Sequence, residues 1–283
     1  MSEETEAAPF VLVANDESAC SQVAADAAVR LAEALEMAVR GIYVVDANLI
    51  MEPYLSLRAE LGEDGDRMSR DDWMHRFEAL GDHALADLKA SCQAYERSFS
   101  GEVVFGGVNE LILKEASRPA AHLLALGRRG RSTKGSDLGS HFADIAHHAQ
   151  LPLLVGGAAE ADLEQLLVVH DGSDHADEVC GMAGDLAEAL SAELTVVGIG
   201  DPIEKSPRSW TTQARQALGS SGAKAVFIEA DGKGGAAILS AADECQADLI
   251  VMSHFRHQEW VQRLVGSPVE HVLRNDDRLV LMV

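Results

Sequence analysis

Residues 121–155 read AHLLALGRRGRSTKGSDLGSHFADIAHHAQLPLLV, and residues 247–283 read ADLIVMSHFRHQEWVQRLVGSPVEHVLRNDDRLVLMV. The two segments follow one plan: a short apolar run, a loop, a Gly-Ser pair, a helix-forming stretch and a second apolar run. Only the first keeps its glycines. It has Gly127, Gly130 and Gly139-Ser140, where the second has Ser253, Arg256 and Gly266-Ser267. A glycine loop between a strand and a helix start is a place where an anion can reach backbone N–H groups, because no Cβ stands in the way. The repetition therefore sets the architecture, and the difference between the copies marks the first half as the ligand-binding one.

The repeat extends outward. The run from Phe10 ends in Asn15-Asp16-Glu17-Ser18, and the run from Leu166 ends in His170-Asp171-Gly172-Ser173. From Asp16 to Gly139 is 123 positions and from Asp171 to Gly266 is 95, so the first copy is 28 residues longer. A domain-sized period means duplication, not a solenoid. Short apolar runs at 11–14, 42–45, 103–105, 123–126 and 153–155, and again at 166–169, 194–199, 225–228, 249–252 and 279–283, read as strands. Ala-, Leu- and Glu-rich helical stretches separate them, so βαβ units and parallel sheets are expected, covered on both faces. The fold class is thus α/β, with a first domain over 1–157, a second over 163–283 and a linker between them. The extra length falls at about 46–100. It includes a helix from about Arg70 to Tyr95, whose Trp73, Phe77, Leu80, Ala84 and Leu88 recur at helical spacing. This insertion leaves the carboxyl end of the second strand, so it is expected to lie beside the first-half site and limit access to it.

The chain has 283 residues, enough for two domains. Its 46 acids against 23 Lys plus Arg leave a net charge of -23. That excludes nonspecific nucleic-acid binding and docking on an anionic membrane. The acidic start lacks the pattern of a secretory signal, and no apolar run is long enough to span a bilayer. Cys20, Cys92, Cys180 and Cys245 are scattered without a CxxC pair, as in reduced thiols. The expected location is the cytoplasm.

An Asp-x-Ser after the first strand, Gly127-x-x-Gly130 with eight further residues before Gly139-Ser140, and Pro152 before the last strand resemble the universal stress protein family in its tandem form. The second half resembles it through Asp171-Gly172-Ser173 and through a nine-residue spacing to Gly266-Ser267. The resemblance implies two Rossmann-like domains of the adenine nucleotide alpha hydrolase-like type, each a five-stranded parallel sheet. It also implies an intramolecular pseudo-dimer joined at the fifth strands, with a homodimer left open. In nucleotide-binding members the ligand is ATP or a related adenine nucleotide, with or without magnesium. Carried onto this chain, the resemblance has Asp16 and Ser18 at the nucleoside, the backbone of Val44 and Val45 at the adenine, and Gly127, Gly130, Gly139 and Ser140 at the phosphates. Arg128, Arg131 and the neighbouring His141 join that set by position. Arg128, Arg129, Arg131 and Lys134 crowd into seven positions of an otherwise acidic chain, which offsets the repulsion of a polyphosphate.

His141, Asp144 and His148 share a helical spacing, and His254 with His257 forms an HxxH pair. Such pairs are sparse as metal motifs, and no metal is assigned. There is no nucleophile elbow and no Walker lysine-serine pair, so no catalytic residue is assigned; hydrolysis of ATP would be slow and incidental. Two functions remain open. One is a stress-response sensor or regulator that binds nucleotide in its first half. The other is a scaffold or small-ligand carrier on the same fold.

Overall fold

Runs of Val, Leu and Ile form the strands, and Ala-rich stretches form the helices that cover them. The computed structural model describes residues 8–46, 70–130, 133, 137–199, 210–230, 232, 234–253 and 267–283. Its first half runs β1 (Phe10–Ala14), α1 (Ala19–Ala34), β2 (Ala38–Asp46), α2 (Arg70–Ala94), β3 (Phe99–Gly106), α3 (Val108–Ala116), β4 (Ala121–Gly127), α4 (Ser140–His148) and β5 (Leu153–Gly156). The second runs β6 (Gln165–His170), α5 (Asp174–Leu190), β7 (Glu193–Gly198), α6 (Trp210–Leu218), β8 (Val226–Glu229), α7 (Gly234–Glu244), β9 (Leu249–Met252), α8 (Pro268–Asn275) and β10 (Leu279–Met282).

Each half is a five-stranded parallel sheet, and the two sheets are continuous. The order is β3-β2-β1-β4-β5-β10-β9-β6-β7-β8. The strands bury side chains on both faces, which is why they read as unbroken apolar runs. One face packs Ala24, Ala28 and Leu31 of α1 together with Leu88 and Cys92 of α2, Val179 and Ala183 of α5, and Leu218 of α6. The other packs Ile112 of α3, Phe142 and Ile145 of α4, Ile238 of α7 and Val272 of α8.

The Asp-x-Ser repeat has a structural reason. Ser18 caps α1 by accepting from the Ser21 amide at 3.1 Å, and Ser173 caps α5 by accepting from the Ala176 amide at 3.1 Å. Asp16 and Asp171 each accept the amide of the Ser two residues on, at 3.0 and 2.8 Å. The residue between is left-handed in both copies, Glu17 at φ 59° and Gly172 at φ 78°. Only glycine adopts that conformation without a Cβ penalty.

The insertion helix α2 packs differently from the expected stripe. Ala84, Leu85, Leu88 and Cys92 are buried, but Leu80 is 41% exposed. Gly81 takes the close approach instead: a Cβ there would stand 2.7 Å from Val103 and 2.8 Å from Tyr43. That contact rotates Leu80 outward. Residues 47–69 and the side chain of Trp73, also part of the expected insertion, lie outside the described residues.

The halves meet where the resemblance places the contact. Strand β5 pairs antiparallel with β10, Val155 opposite Val280 and Leu153 opposite Met282. Arg128, just after β4, reaches across this joint and is fully buried. Its Nη1 donates to the Leu273 carbonyl at 2.7 Å, and its guanidinium also meets the carbonyls of Asp276 and Arg278. Its Nε donates to Gly156 O at 3.3 Å. Burial pushes its pKa below the ordinary guanidinium range. Beside it, Arg129 pairs with Asp277 at 2.5 Å, and Arg274 pairs with Asp137 at 3.1 Å. No helix among the described residues is long and apolar enough to cross a membrane.

Arg128→Met is expected to lower the unfolding free energy of the full chain by about 3 kcal/mol or more, because buried carbonyls on both halves lose their donors. Arg128→Lys should recover little, since one ammonium cannot span the carbonyls that a planar fork reaches. Urea titration measures both. A second expectation concerns pH. Burial pushes the Cys92 thiol up to about 11 and the Cys180 thiol up to about 12, from an ordinary 9.0. In the unfolded chain these thiols ionise first, so their contribution is full below pH 9 and is lost as pH rises towards 12. The urea midpoint should therefore fall above pH 9, and fall less steeply in Cys180→Ala.

Candidate functional site

The carboxyl ends of β1, β2 and β4 open into a cavity of about 570 Å³. A crevice past the strand ends, where the strand order reverses, is where an open α/β sheet receives ligand, and this volume is in the range of small-molecule sites. Ala14, Ile42 and Leu126 come from the three strands, and β2 adds Tyr43, Val44, Val45 and Asp46. Val108 and Ile112 of α3, Phe142 and Ile145 of α4, and Phe77 of α2 also line it. Polar groups come from Asn15, Asp16, Thr133, Ser140 and His141.

The start of α4 is built to leave donors available. Its N-cap is Gly139, at φ -62° and ψ 141°, and no side chain caps it. The first-turn amides of a helix lack intrahelical partners and carry the positive end of the dipole. In the second half the equivalent Ser267 is itself the cap of α8, accepting from the Glu270 amide at 3.0 Å. A self-capped helix end has less to offer an anion.

Of the residues expected at the site, Asp16, Val44, Val45, Gly127, Gly130, Gly139, Ser140 and His141 line the cavity. Ser18 and Arg128 do not. Ser18 is buried as the cap of α1, and Arg128 is consumed by the joint between the halves. Arg131 and Lys134 lie outside the described residues, and Arg129 is paired with Asp277. The expected cluster of four loop cations is thus reduced by two. No Lys or Arg lines the cavity among the described residues, where Asp16 and Asp46 are the carboxylates.

Helix packing gives Gly127 a second reason beside its place on the cavity wall. Among Gly127, Gly130 and Gly139 none is left-handed. A Cβ on Gly127 would stand 2.6 Å from the Ser21 amide nitrogen, and one on Gly156 would stand 2.0 Å from the Cys20 carbonyl. These two let α1 lie close on β4 and β5. A Cβ on Gly130 would stand 3.1 Å from Asp16 Oδ2, at the cavity wall.

Sequence reasoning missed Asn15 and its twin His170. Asn15 Oδ1 accepts from the Glu17 amide and from Ser21 Oγ, both at 2.9 Å. His170 Nδ1 accepts from the Gly172 amide at 2.9 Å, so Nε2 carries the proton and donates to Asp177 at 2.8 Å. Their matching places before Asp16 and Asp171 were the available signal. Trp210 was also missed. It lies against Gly198 at the end of β7, where a Cβ would be 2.4 Å from the indole, and its ring is 5.9 Å from His170. By strand register this is the place that Tyr43 holds in the first half. Ser253 directly follows β9 as expected, but Arg256, Gly266 and the HxxH histidines lie outside the described residues. Among the described residues no group of three or more His, Cys, Asp or Glu is placed to hold a metal.

Gly127→Ala is expected to cost about 1–3 kcal/mol, because the new methyl meets the backbone of α1. Gly130→Ala should cost well under that. Glu17→Gly should be neutral or gain up to about 1 kcal/mol by removing the left-handed strain. Thermal unfolding of the three variants orders them.

The chain matches the model of the universal stress protein family over residues 10–155 and again over 163–283. Among solved structures it is similar to a universal stress protein from Archaeoglobus fulgidus DSM 4304, with a TM-score of 0.73 at 17% identity, covering 96% of this chain and 95% of that one. It is similar to a functionally unknown protein from Pseudomonas aeruginosa PAO1, with a TM-score of 0.64 at 16% identity, covering 98% and 92%. A putative universal stress protein from Pseudomonas aeruginosa UCBPP-PA14 gives a TM-score of 0.64 at 15% identity, covering 98% and 93%. At such identities the likeness concerns the fold. No curated protein matches the chain. Two family segments covering nearly all of the sequence, on two copies of one α/β sheet, make this chain a tandem member of the universal stress protein family.

Proposed function

We propose that the first half binds one adenine nucleotide per chain, ATP or a close relative, and that the protein acts through partners as a sensor or regulator in a stress response. The observation that carries this reading is the cavity itself. An apolar slot between Ile42, Val44, Leu126 and Ile112 suits a purine. Asp16 can accept from ribose hydroxyls, and the uncapped start of α4 with Ser140 suits a phosphate. The second half is assigned no nucleotide, because Trp210 covers the end of β7 and Ser267 caps its own helix.

The insertion contributes Phe77 to the cavity wall, which supports a role for α2 in limiting access. One observation favours a second reading. The described wall is mostly apolar, with two carboxylates and no Lys or Arg, and such a wall also suits a small uncharged ligand. A thermal-shift series with ATP, ADP, AMP and adenosine separates the two: the nucleotide reading expects the phosphorylated ligands to stabilise more than adenosine.

Calorimetry on the full chain should give one ATP per chain. Asp16→Asn should weaken binding about tenfold, the loss of one hydrogen bond to a charged group. Gly130→Val should weaken it at least as much with little change in thermal stability, because a branched side chain there intrudes on the cavity. Two equivalent sites, or undiminished binding in Gly130→Val, would sink the assignment.

A further inference from the structure

The cavity wall contains one histidine whose proton is placed by its neighbours. Asp144 on α4 is a carboxylate and can only accept, so the amide nitrogen of Asn109 faces it, at 2.6 Å. The amide oxygen of Asn109 therefore faces His141, whose Nδ1 lies 2.8 Å away. An amide oxygen also only accepts, so Nδ1 carries the proton. In the neutral form of the ring the lone pair is then on Nε2. His148 supports the same chain from the far side, with Nδ1 2.8 Å from the Asp144 carbonyl and 3.5 Å from its Oδ1. Asn109 sits on α3 and the other residues on α4, so the relay is held by two packed helices.

In that form Nε2 cannot donate to a phosphate, because lone pair meets lone pair. What it can hold is a donor. His141 follows Ser140 directly, at the uncapped start of α4 where the proposed reading puts the phosphates. The donor that chemistry requires beside a phosphate is water. Resting on the nucleotide reading of this cavity, we infer that His141 is the general base of a slow nucleotide phosphohydrolase, with Asn109 and Asp144 as its positioning residues. The water oxygen bonds to the terminal phosphorus while its proton passes to Nε2. The bond from phosphorus to the bridging oxygen breaks, and the electron pair leaves with the nucleoside diphosphate. The imidazolium then returns its proton to solvent. Among the described residues, Asp144 and His148 are the titratable groups that share its helix and its hydrogen-bonded chain, and Asp16, Asp46 and Tyr43 lie elsewhere on the cavity wall; from α3 it meets Asn109, which does not titrate.

The test is phosphate release from ATP by the full chain, with magnesium present and absent, alongside calorimetric binding of ATP. His141→Gln should lower the rate about a hundredfold, within the range of general-base effects, and lower it far more than it weakens ATP binding. The wild-type rate should fall towards acid pH, and that limb should vanish in His141→Gln. Added imidazole should restore part of the rate to His141→Ala. Asn109→Leu should lower the rate with affinity unchanged, since the ring keeps its base but loses its fixed proton. ATP binding without phosphate release, or release unaffected by His141→Gln, overturns the inference alone. Absence of ATP binding overturns the nucleotide reading and the inference with it.

Discussion

Arg128 holds the molecule together at its narrowest point. The shared sheet is only as continuous as the pairing of β5 with β10, and these are strands of four residues each. Short strands contribute few ladder hydrogen bonds, so the joint needs a second fastening. A buried guanidinium supplies it, spending its donors on carbonyls of Gly156, Leu273, Asp276 and Arg278. The arrangement has a cost in desolvation, visible in the lowered pKa of the group, and it is tolerable because four carbonyls receive the donors. Gly157 makes the room: a Cβ there would stand 1.9 Å from the Asp277 carbonyl.

The ligand site hangs from the same point. The backbone of Arg128 donates to Gly156 O at 3.1 Å and accepts from Gly139 N at 2.9 Å. The residue that pins the halves therefore also positions the N-cap of α4 and the loop around Gly130. A cavity wall anchored to an interdomain joint gives a physical route by which ligand and joint could influence one another. The described part of the second half is built differently. There Trp210 rests on the end of β7, and Ser267 satisfies its own helix. Duplication supplied two sheets, and different residues at corresponding places made them unequal.

The fold was legible because period and burial coincide. Apolar runs separated by helical stretches, repeated twice, leave little choice but a covered parallel sheet. The site was legible only in outline. Asp16, Val44 and Ser140 could be placed by motif and strand order. The role of Arg128 could not, because adjacency in a basic cluster says nothing about which side of the loop a side chain takes. Gly127 was legible only in part: it lines the cavity, but its small size also admits α1, which the motif does not show. Leu80 followed the helical period of its neighbours, yet Gly81 took the contact with the sheet. Asn109 carried no signal at all, because its partners Asp144 and His141 lie on another helix.

The most direct test of the account is a crystal structure grown at saturating ATP. The account predicts one nucleotide in the first half, its base against the backbone of Val44 and Val45 and its phosphates at the start of α4, with Arg128 still directed at the carbonyls of α8 and the segment after it. Nucleotide density in the second half, an empty first-half cavity, or Arg128 turned onto the phosphates would contradict it.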